Sequence, residues 1–317
     1  MSFDYATKIG VDFNNPIFTA SGCAGSGKEL SQFFDLRELG AIVTKSIMVK
    51  PRSGRATPRM AETPSGMLNS IGLQGPGVDQ FLEHDIPWLL NQGASIVVSI
   101  AGESVEDYAV LARKMRAVSG LKALEVNISC PNVENRGQVF ACSPVTAKGA
   151  IEAVRRNIGG ELPILAKLTP DVTNIVEIAA AVLDAGADGV ALINTVLGMV
   201  IDVDSMRPKL AGKTGGLSGP AIRPVAVRAI FQVREAFPNI PIIGMGGVAS
   251  GRDALELVLA GANAVSVGTA TFGNPKAVIK VKDELENLLI NRGFTNFTDI
   301  DAGDGATIWV WRPTLSN

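Results

Sequence analysis

One order of residues returns four times along the chain: an amphipathic stretch, a Gly-Ala pair, then a short apolar run ending on a polar residue. Gly40-Ala41 leads through Ile42-Val43 to Lys45, and Gly93-Ala94 through Ile96-Val97-Val98 to Ser99. Gly186-Ala187 leads through Val190-Ala191-Leu192-Ile193 to Asn194, and Gly261-Ala262 through Val265-Ser266-Val267 to Gly268. The glycine suits the left-handed position after a helix, and the unbroken apolar run suits a parallel strand buried on both faces. Apolar runs of the same kind lie at 121–128, 163–168 and 241–245, and a first one at 17–20 follows an expected hairpin at 8–15. Helical spacing of apolar residues predicts helices over 104–118, 172–184, 219–236, 251–260 and 275–291, the first opening on Ser104 with Glu106 and Asp107 in its first turn.

Strands alternating with helices imply a parallel sheet with right-handed crossovers. The expected fold class is α/β, a (β/α)8 TIM barrel of one domain over residues 1–317 with an N-terminal hairpin. An open doubly wound sheet is the alternative, but no Gly-x-Gly-x-x-Gly follows the first strand. Stretches at about 47–77, 131–146 and 196–218 exceed what a barrel needs. Loops of that length are usually functional, and these would leave strand C-terminal ends and cover one face.

Composition narrows the chemistry. With 317 residues, 46% of them hydrophobic, the chain can bury a large core. A net charge of −2 with scattered lysines and arginines predicts neither a nucleic-acid nor a membrane partner. Cysteines at 23, 130 and 142 give no disulfide framework, and the single histidine, His84, leaves little room for a His triad or His metal site. Met1-Ser-Phe-Asp-Tyr-Ala6 has no signal-like apolar core, and no uncharged apolar run reaches about 18 residues. A cytoplasmic location is expected.

Barrel enzymes keep their chemistry where strand C-terminal ends converge. Those ends carry Ser21, Lys45-Ser46, Ser99, Asn127 with Cys130, Lys167, Asn194-Thr195, Gly246-Gly247 and Gly268-Thr269. The two glycine sites follow the last two strands, the usual seat of a phosphate in this architecture. Lysines, amides and hydroxyls without clustered carboxylates or imidazoles argue against a metal site and against glycoside hydrolysis. Asparagine both donates and accepts, which suits a flat ligand with imide edges. A lysine at a strand end either stabilises negative charge or is simply ion-paired. Cys130, just before Pro131, is either chemistry at a strand exit or a small buried apolar residue.

Asn127-Ile-Ser-Cys-Pro-Asn132, Thr44-Lys-Ser46, Asn69-Ser-Ile-Gly-Leu73, Leu192-Ile-Asn-Thr195, Gly215-Gly-Leu-Ser-Gly219 and Gly244-Met-Gly-Gly247 together resemble dihydroorotate dehydrogenase, over residues 9 to 294 or so. The resemblance implies an FMN-bound barrel that oxidises dihydroorotate to orotate in pyrimidine synthesis. Cys130 at the base position is similar to class 1, and Thr195-Val-Leu-Gly-Met199 with Lys213-Thr-Gly-Gly-Leu-Ser-Gly219 to class 1B. That class implies a homodimer core joined to an electron-transfer subunit, which carries FAD and a 2Fe-2S cluster and passes electrons to NAD+.

By the same resemblance, Ser21, Lys45, Ser46, Ser99, Asn127, Lys167, Ile193, Gly219, Gly246, Gly247, Gly268 and Thr269 would hold FMN. Lys45, Asn69, Ser70, Ile71, Gly72, Leu73, Asn127, Asn132, Asn194 and Thr195 would hold the pyrimidine. Cys130 would take the C5 proton while FMN accepts the C6 hydride, under a lid at 131–144. The chain departs from the family at Ser99, where the pattern has Asn. Rival readings are a fumarate-using class 1A enzyme, a dihydropyrimidine dehydrogenase-like reductase, and a phosphate-ligand-binding barrel without redox chemistry.

Overall fold

A computed structural model describes residues 3–129, 140–160 and 162–300. Its central sheet has eight strands: β1 (Ile17–Thr19), β2 (Ile42–Val43), β3 (Ile96–Ile100), β4 (Leu121–Asn127), β5 (Ile164–Leu168), β6 (Gly189–Leu192), β7 (Ile242–Met245) and β8 (Ala264–Val267). All neighbours pair in parallel, β2 to β8 in chain order and β8 back to β1. A parallel bridge between Phe18 and Ala41 joins β1 to the start of β2, with Gly40 N–H donating to Ile17 O at 2.9 Å. The sheet therefore closes into the expected (β/α)8 barrel.

Alternation along each strand decides what the barrel interior contains. Phe18, Val43, Val97, Ala123, Leu165, Ala191, Ile243 and Ala264 form an inner apolar cluster, closed at the strand N-terminal end by Ile9 and Phe13. The latter two come from the hairpin Thr7–Ile9 with Val11–Phe13. Two residues further along their strands, the same inward positions carry Lys45, Ser99, Glu125, Lys167 and Ser266. An apolar floor beneath a polar layer is thus the period of two written into each strand.

Helices pack outside. Ser104, Asn174 and Ser250 cap Val105–Arg116, Ile175–Asp184 and Gly251–Leu259, each accepting a backbone N–H of the first turn. Two helical stretches go beyond the expected ones. Pro144–Ile158 buries Ala147, Ala150 and Ala153 beside Ile151, Val154 and Ile158, so half of its apolar stripe is alanine and stands out little in sequence. Residues 78–91 are helical with a π-turn at Phe81–Asp85 and Pro87 in the last segment, which together disrupt a 3.6-residue period.

Gly93, Gly186 and Gly261 adopt the left-handed conformation after their helices. The carbonyls of Gly186 and Gly261 each accept from an arginine on the preceding outer layer, Arg155 Nε at 2.8 Å and Arg234 Nε at 3.0 Å. Gly40 corrects the pattern. Only two short 3-10 turns, Leu30–Gln32 and Leu36–Glu38, precede it, and it does not have positive φ. Its requirement is space, because a Cβ there would sit 2.1 Å from Asn15 O.

The long connections at 47–77 and 196–218 are not plain loops. Met60–Thr63, Gly66–Asn69, Thr214–Ser218 and Val196–Met199 pair into one antiparallel sheet. Both excursions therefore cover the same mouth, as expected, and brace each other across it. Among the described residues no helix is long and apolar enough to cross a membrane.

Candidate active site

A cavity of about 590 Å³ opens under that sheet, at the C-terminal ends of the strands. Its described lining includes Lys45 and Lys167 but no carboxylate or imidazole, so the local field favours negative charge. Lys167 Nζ donates to Ser21 Oγ at 2.7 Å and lies 3.7 Å from Glu125 Oε1, both partners of this pair being buried. Burial of an ammonium is tolerable when a carboxylate faces it.

From Glu125 a continuous line of hydrogen bonds runs behind the cavity lining and meets it at Ser46, Asn127 and Asn194. Ser99 Oγ donates to Glu125 Oε1 at 2.8 Å and lies 2.8 Å from Ser46 Oγ. Asn127 Nδ2 donates to Ser46 Oγ at 3.0 Å, and Asn127 Oδ1 accepts from Ser129 N–H and Oγ–H at 3.2 and 3.0 Å. Asn194 Nδ2 then donates to Ser129 O and Oγ at 2.9 and 3.0 Å, while Asn194 Oδ1 accepts from Thr195 N–H. Behind this line, Tyr108 Oη donates to Asn127 O at 2.9 Å. Such a network leaves the two amides no freedom to flip.

The opposite side of the cavity is made of backbone. Gly246 and Gly247 have φ of +124° and +78°, and a Cβ on Gly247 would stand 2.6 Å from Arg223 Cβ and 2.9 Å from Arg223 N. Only a residue without Cβ lets the chain lie this close to the start of the helix Arg223–Ala236. The Arg223 guanidinium is held by Asp253 and Glu256, at 2.5 and 2.8 Å. An anion placed here would meet backbone N–H groups and the helix N-terminus, the chemistry that suits a phosphate. On the floor, Ser266 Oγ is buried without a partner and borders the cavity, a hydroxyl aimed at a ligand. Together these features fit FMN: a glycine cradle for its phosphate, lysines and fixed amides for its ring.

Most of the residues expected at the site border this cavity. Ser21, Lys45, Ser46, Asn127, Lys167, Ile193, Gly219, Gly246, Gly247, Gly268 and Thr269 do so, and Asn69, Ile71, Gly72, Leu73, Asn194 and Thr195 face them. Leu73 and Gly72 both have positive φ, 54° and 79°, giving the loop an unusual turn at the cavity wall. Ser70 and Ser99 do not border it. Ser70 is fully buried with an unpaired hydroxyl, and Ser99 lies one layer down, bonded to Ser46 and Glu125. Cys130 and Asn132 lie outside the described residues.

Three residues go beyond the expected set. Glu125 and Ser266 occupy inward strand positions, which their place two residues from Ala123 and Ala264 signals. Cys23, which has no expected role in the site, borders the cavity; burial pushes its thiol up to about 11, against the pull of the Lys167 and Lys45 ammoniums.

Comparison with known proteins agrees with this geometry. The family model described as dihydroorotate dehydrogenase matches residues 5–289. The chain is 49% identical over 301 residues to the dihydroorotate dehydrogenase B (NAD(+)), catalytic subunit of Desulforamulus reducens, covering 95% of this chain and 98% of that protein. It is 48% identical over 299 residues to the protein of the same name from Oceanobacillus iheyensis, covering 94% and 97%. A third of that name, from Desulforudis audaxviator, is 48% identical over 291 residues, covering 92% and 94%.

Proposed function

The chain belongs to the dihydroorotate dehydrogenase family, and from that premise we propose that it oxidises (S)-dihydroorotate to orotate in pyrimidine biosynthesis as one FMN-binding barrel domain. The observation that carries this reading is the convergence of Lys45, Asn127, Lys167 and Asn194, from four different strands, on a cavity whose described lining has no carboxylate.

In this reading Gly246, Gly247, Gly268 and Thr269 hold the FMN phosphate through backbone N–H groups, and Ser21, Lys45, Ser46, Asn127, Lys167, Ile193 and Gly219 surround its ring. Bound there, FMN supplies the two-electron acceptance that the oxidation requires. Asn69 to Leu73, Asn127, Asn132, Asn194 and Thr195 orient the pyrimidine, and Lys45 also meets it. Ser99 acts through Ser46 and Ser70 through the shape of its loop. The antiparallel sheet above the mouth excludes water.

Cys130 Sγ takes the proton from C5 of the substrate, as general base. An ordinary thiol ionises near pH 8.5, so turnover should rise towards alkaline pH. The two electrons withdrawn from the substrate must then leave the cofactor site for another acceptor. We assign that step to a partner subunit carrying FAD and a 2Fe-2S cluster, with NAD+ as final acceptor, because the relatives bear the name NAD(+) catalytic subunit. Three cysteines in the chain are fewer than the thiolates such a cluster normally takes. We place the assembly, a homodimer core with two such partners, in the cytoplasm.

The test is direct. Purified protein should be yellow, release FMN on denaturation and bleach when dihydroorotate is added without oxygen. Cys130→Ala should keep the colour and lose the bleaching. NAD+ reduction should require the co-expressed partner, and fumarate should not replace it. A colourless preparation that takes up no FMN overturns the reading.

A further inference from the structure

Glu125 has no part in the reaction outlined above, yet the floor of the site is built on it. The residue is 1% exposed, in the middle of β4, between Leu124 and Val126, which belong to the outer core. A buried carboxylate is costly unless charge and hydrogen bonds compensate it. Two groups do so here, the Lys167 ammonium at 3.7 Å and the Ser99 hydroxyl at 2.8 Å.

The direction of the hydrogen bonds beyond Ser99 follows from chemistry. A carboxylate only accepts, so Ser99 gives its single proton to Glu125 and must accept from Ser46. Ser46 has then given its own proton and must accept from Asn127 Nδ2. The line therefore has one polarity. It leaves the second N–H of Asn127 Nδ2, with Lys167, as donors at the cavity wall.

We propose that Glu125 is a positioning residue: its carboxylate holds Lys167 and, through Ser99 and Ser46, the Asn127 amide in the one arrangement that offers donors to the ligand. This deepens the function proposed above and rests on it for the identity of the ligand. Donors arranged in this way suit the carbonyl oxygens of a pyrimidine and the electron-rich edge of a reduced flavin. Glu125→Gln would keep the shape and remove the constraint, since an amide can donate to Ser99 or accept from it. Lys167 would at the same time lose the carboxylate that faces it.

Two double-mutant cycles test the proposal. In the first, orotate is titrated into the FMN-loaded protein and read by the change in flavin absorbance. Glu125→Gln should weaken orotate about tenfold in the wild-type background, the effect of one misplaced charge-assisted hydrogen bond. In a Ser46→Ala background, where the line is already cut, the same change should cost about threefold or less. An equal loss in both backgrounds overturns the relay. In the second cycle the melting temperature of the ligand-free protein is compared for Glu125→Gln, Lys167→Met and the pair. The double variant should lose less than the sum of the singles, because the buried charges leave together. Additive losses overturn the coupling to Lys167. If the wild type takes up neither FMN nor orotate, the functional reading fails while the second cycle still decides the role of Glu125.

Discussion

Lys167 Nζ, at the end of β5, donates to Ser21 Oγ beyond β1 at 2.7 Å, across 146 residues of sequence. The bond joins opposite sides of the barrel mouth and fixes where the ammonium points. Hydrogen bonds to charged groups contribute about 1.5–3 kcal/mol, and partial exposure of Ser21 puts this one at the lower end. Ser21→Ala should therefore lower the melting temperature by about 2–3 °C for a chain of this size. Scanning calorimetry checks it, and an unchanged transition would show that Lys167 finds another acceptor.

The glycine cradle makes a sharper prediction. Gly247→Ala places a methyl 2.6 Å from Arg223 Cβ at a φ of +78°, so both conformation and contact oppose it. The left-handed conformation alone costs roughly 1–2 kcal/mol. We expect FMN to be retained at least about tenfold more weakly, read from the flavin-to-protein absorbance ratio after dialysis. Gly273→Ala is the control: it borders the same cavity, has ordinary φ, and its methyl would meet nothing within 4 Å.

The contrast between what was legible in the sequence and what was not has a physical basis. Lys45 and Lys167 stand out because a charge at the end of an apolar run has few structural excuses, and the barrel rule says where such ends meet. Glu125 and Ser266 sit inside their strands, and their importance shows only once the period of two is counted from a known inward neighbour such as Ala123 or Ala264. Ser99 looks like a mouth residue by position, but its hydroxyl is taken by Ser46 and Glu125, partners 53 and 26 residues away. Pairing of Gly66–Asn69 with Thr214–Ser218 was equally hidden: Gly215 and Gly216 carry no alternation, and the register is set by the facing excursion.

Tyr108 offers a test of support from behind. Its hydroxyl donates to the Asn127 carbonyl at 2.9 Å and the residue is 1% exposed, so water cannot stand in for it. Tyr108→Phe should cost about 1–2 kcal/mol of stability, measured by urea unfolding. It should also weaken orotate more than it weakens FMN, since Asn127 anchors both Ser46 and Ser129. Equal weakening of the two ligands would argue that the tyrosine supports the barrel and not the amide.

Alkaline pH gives the last prediction, through Cys23. Burial beside the cavity raises its thiol from 9.0 to about 11 in the folded chain, with Lys167 and then Lys45 pulling the other way. The unfolded chain therefore ionises this thiol first, and stability that is intact below pH 9 drains away as pH rises through about 11. Tyr5, also raised by burial and by the nearby Glu286 and Asp283, adds a similar loss beginning above pH 10, so the wild type alone cannot separate the two. Cys23→Ala removes only the thiol contribution. The difference in urea midpoint between wild type and Cys23→Ala should be constant from pH 7 to 8.5 and then shift against the wild type up to pH 11. Parallel curves across that whole range would mean that the thiol ionises as easily in the folded cavity as in the open chain, and that the two ammoniums outweigh its burial.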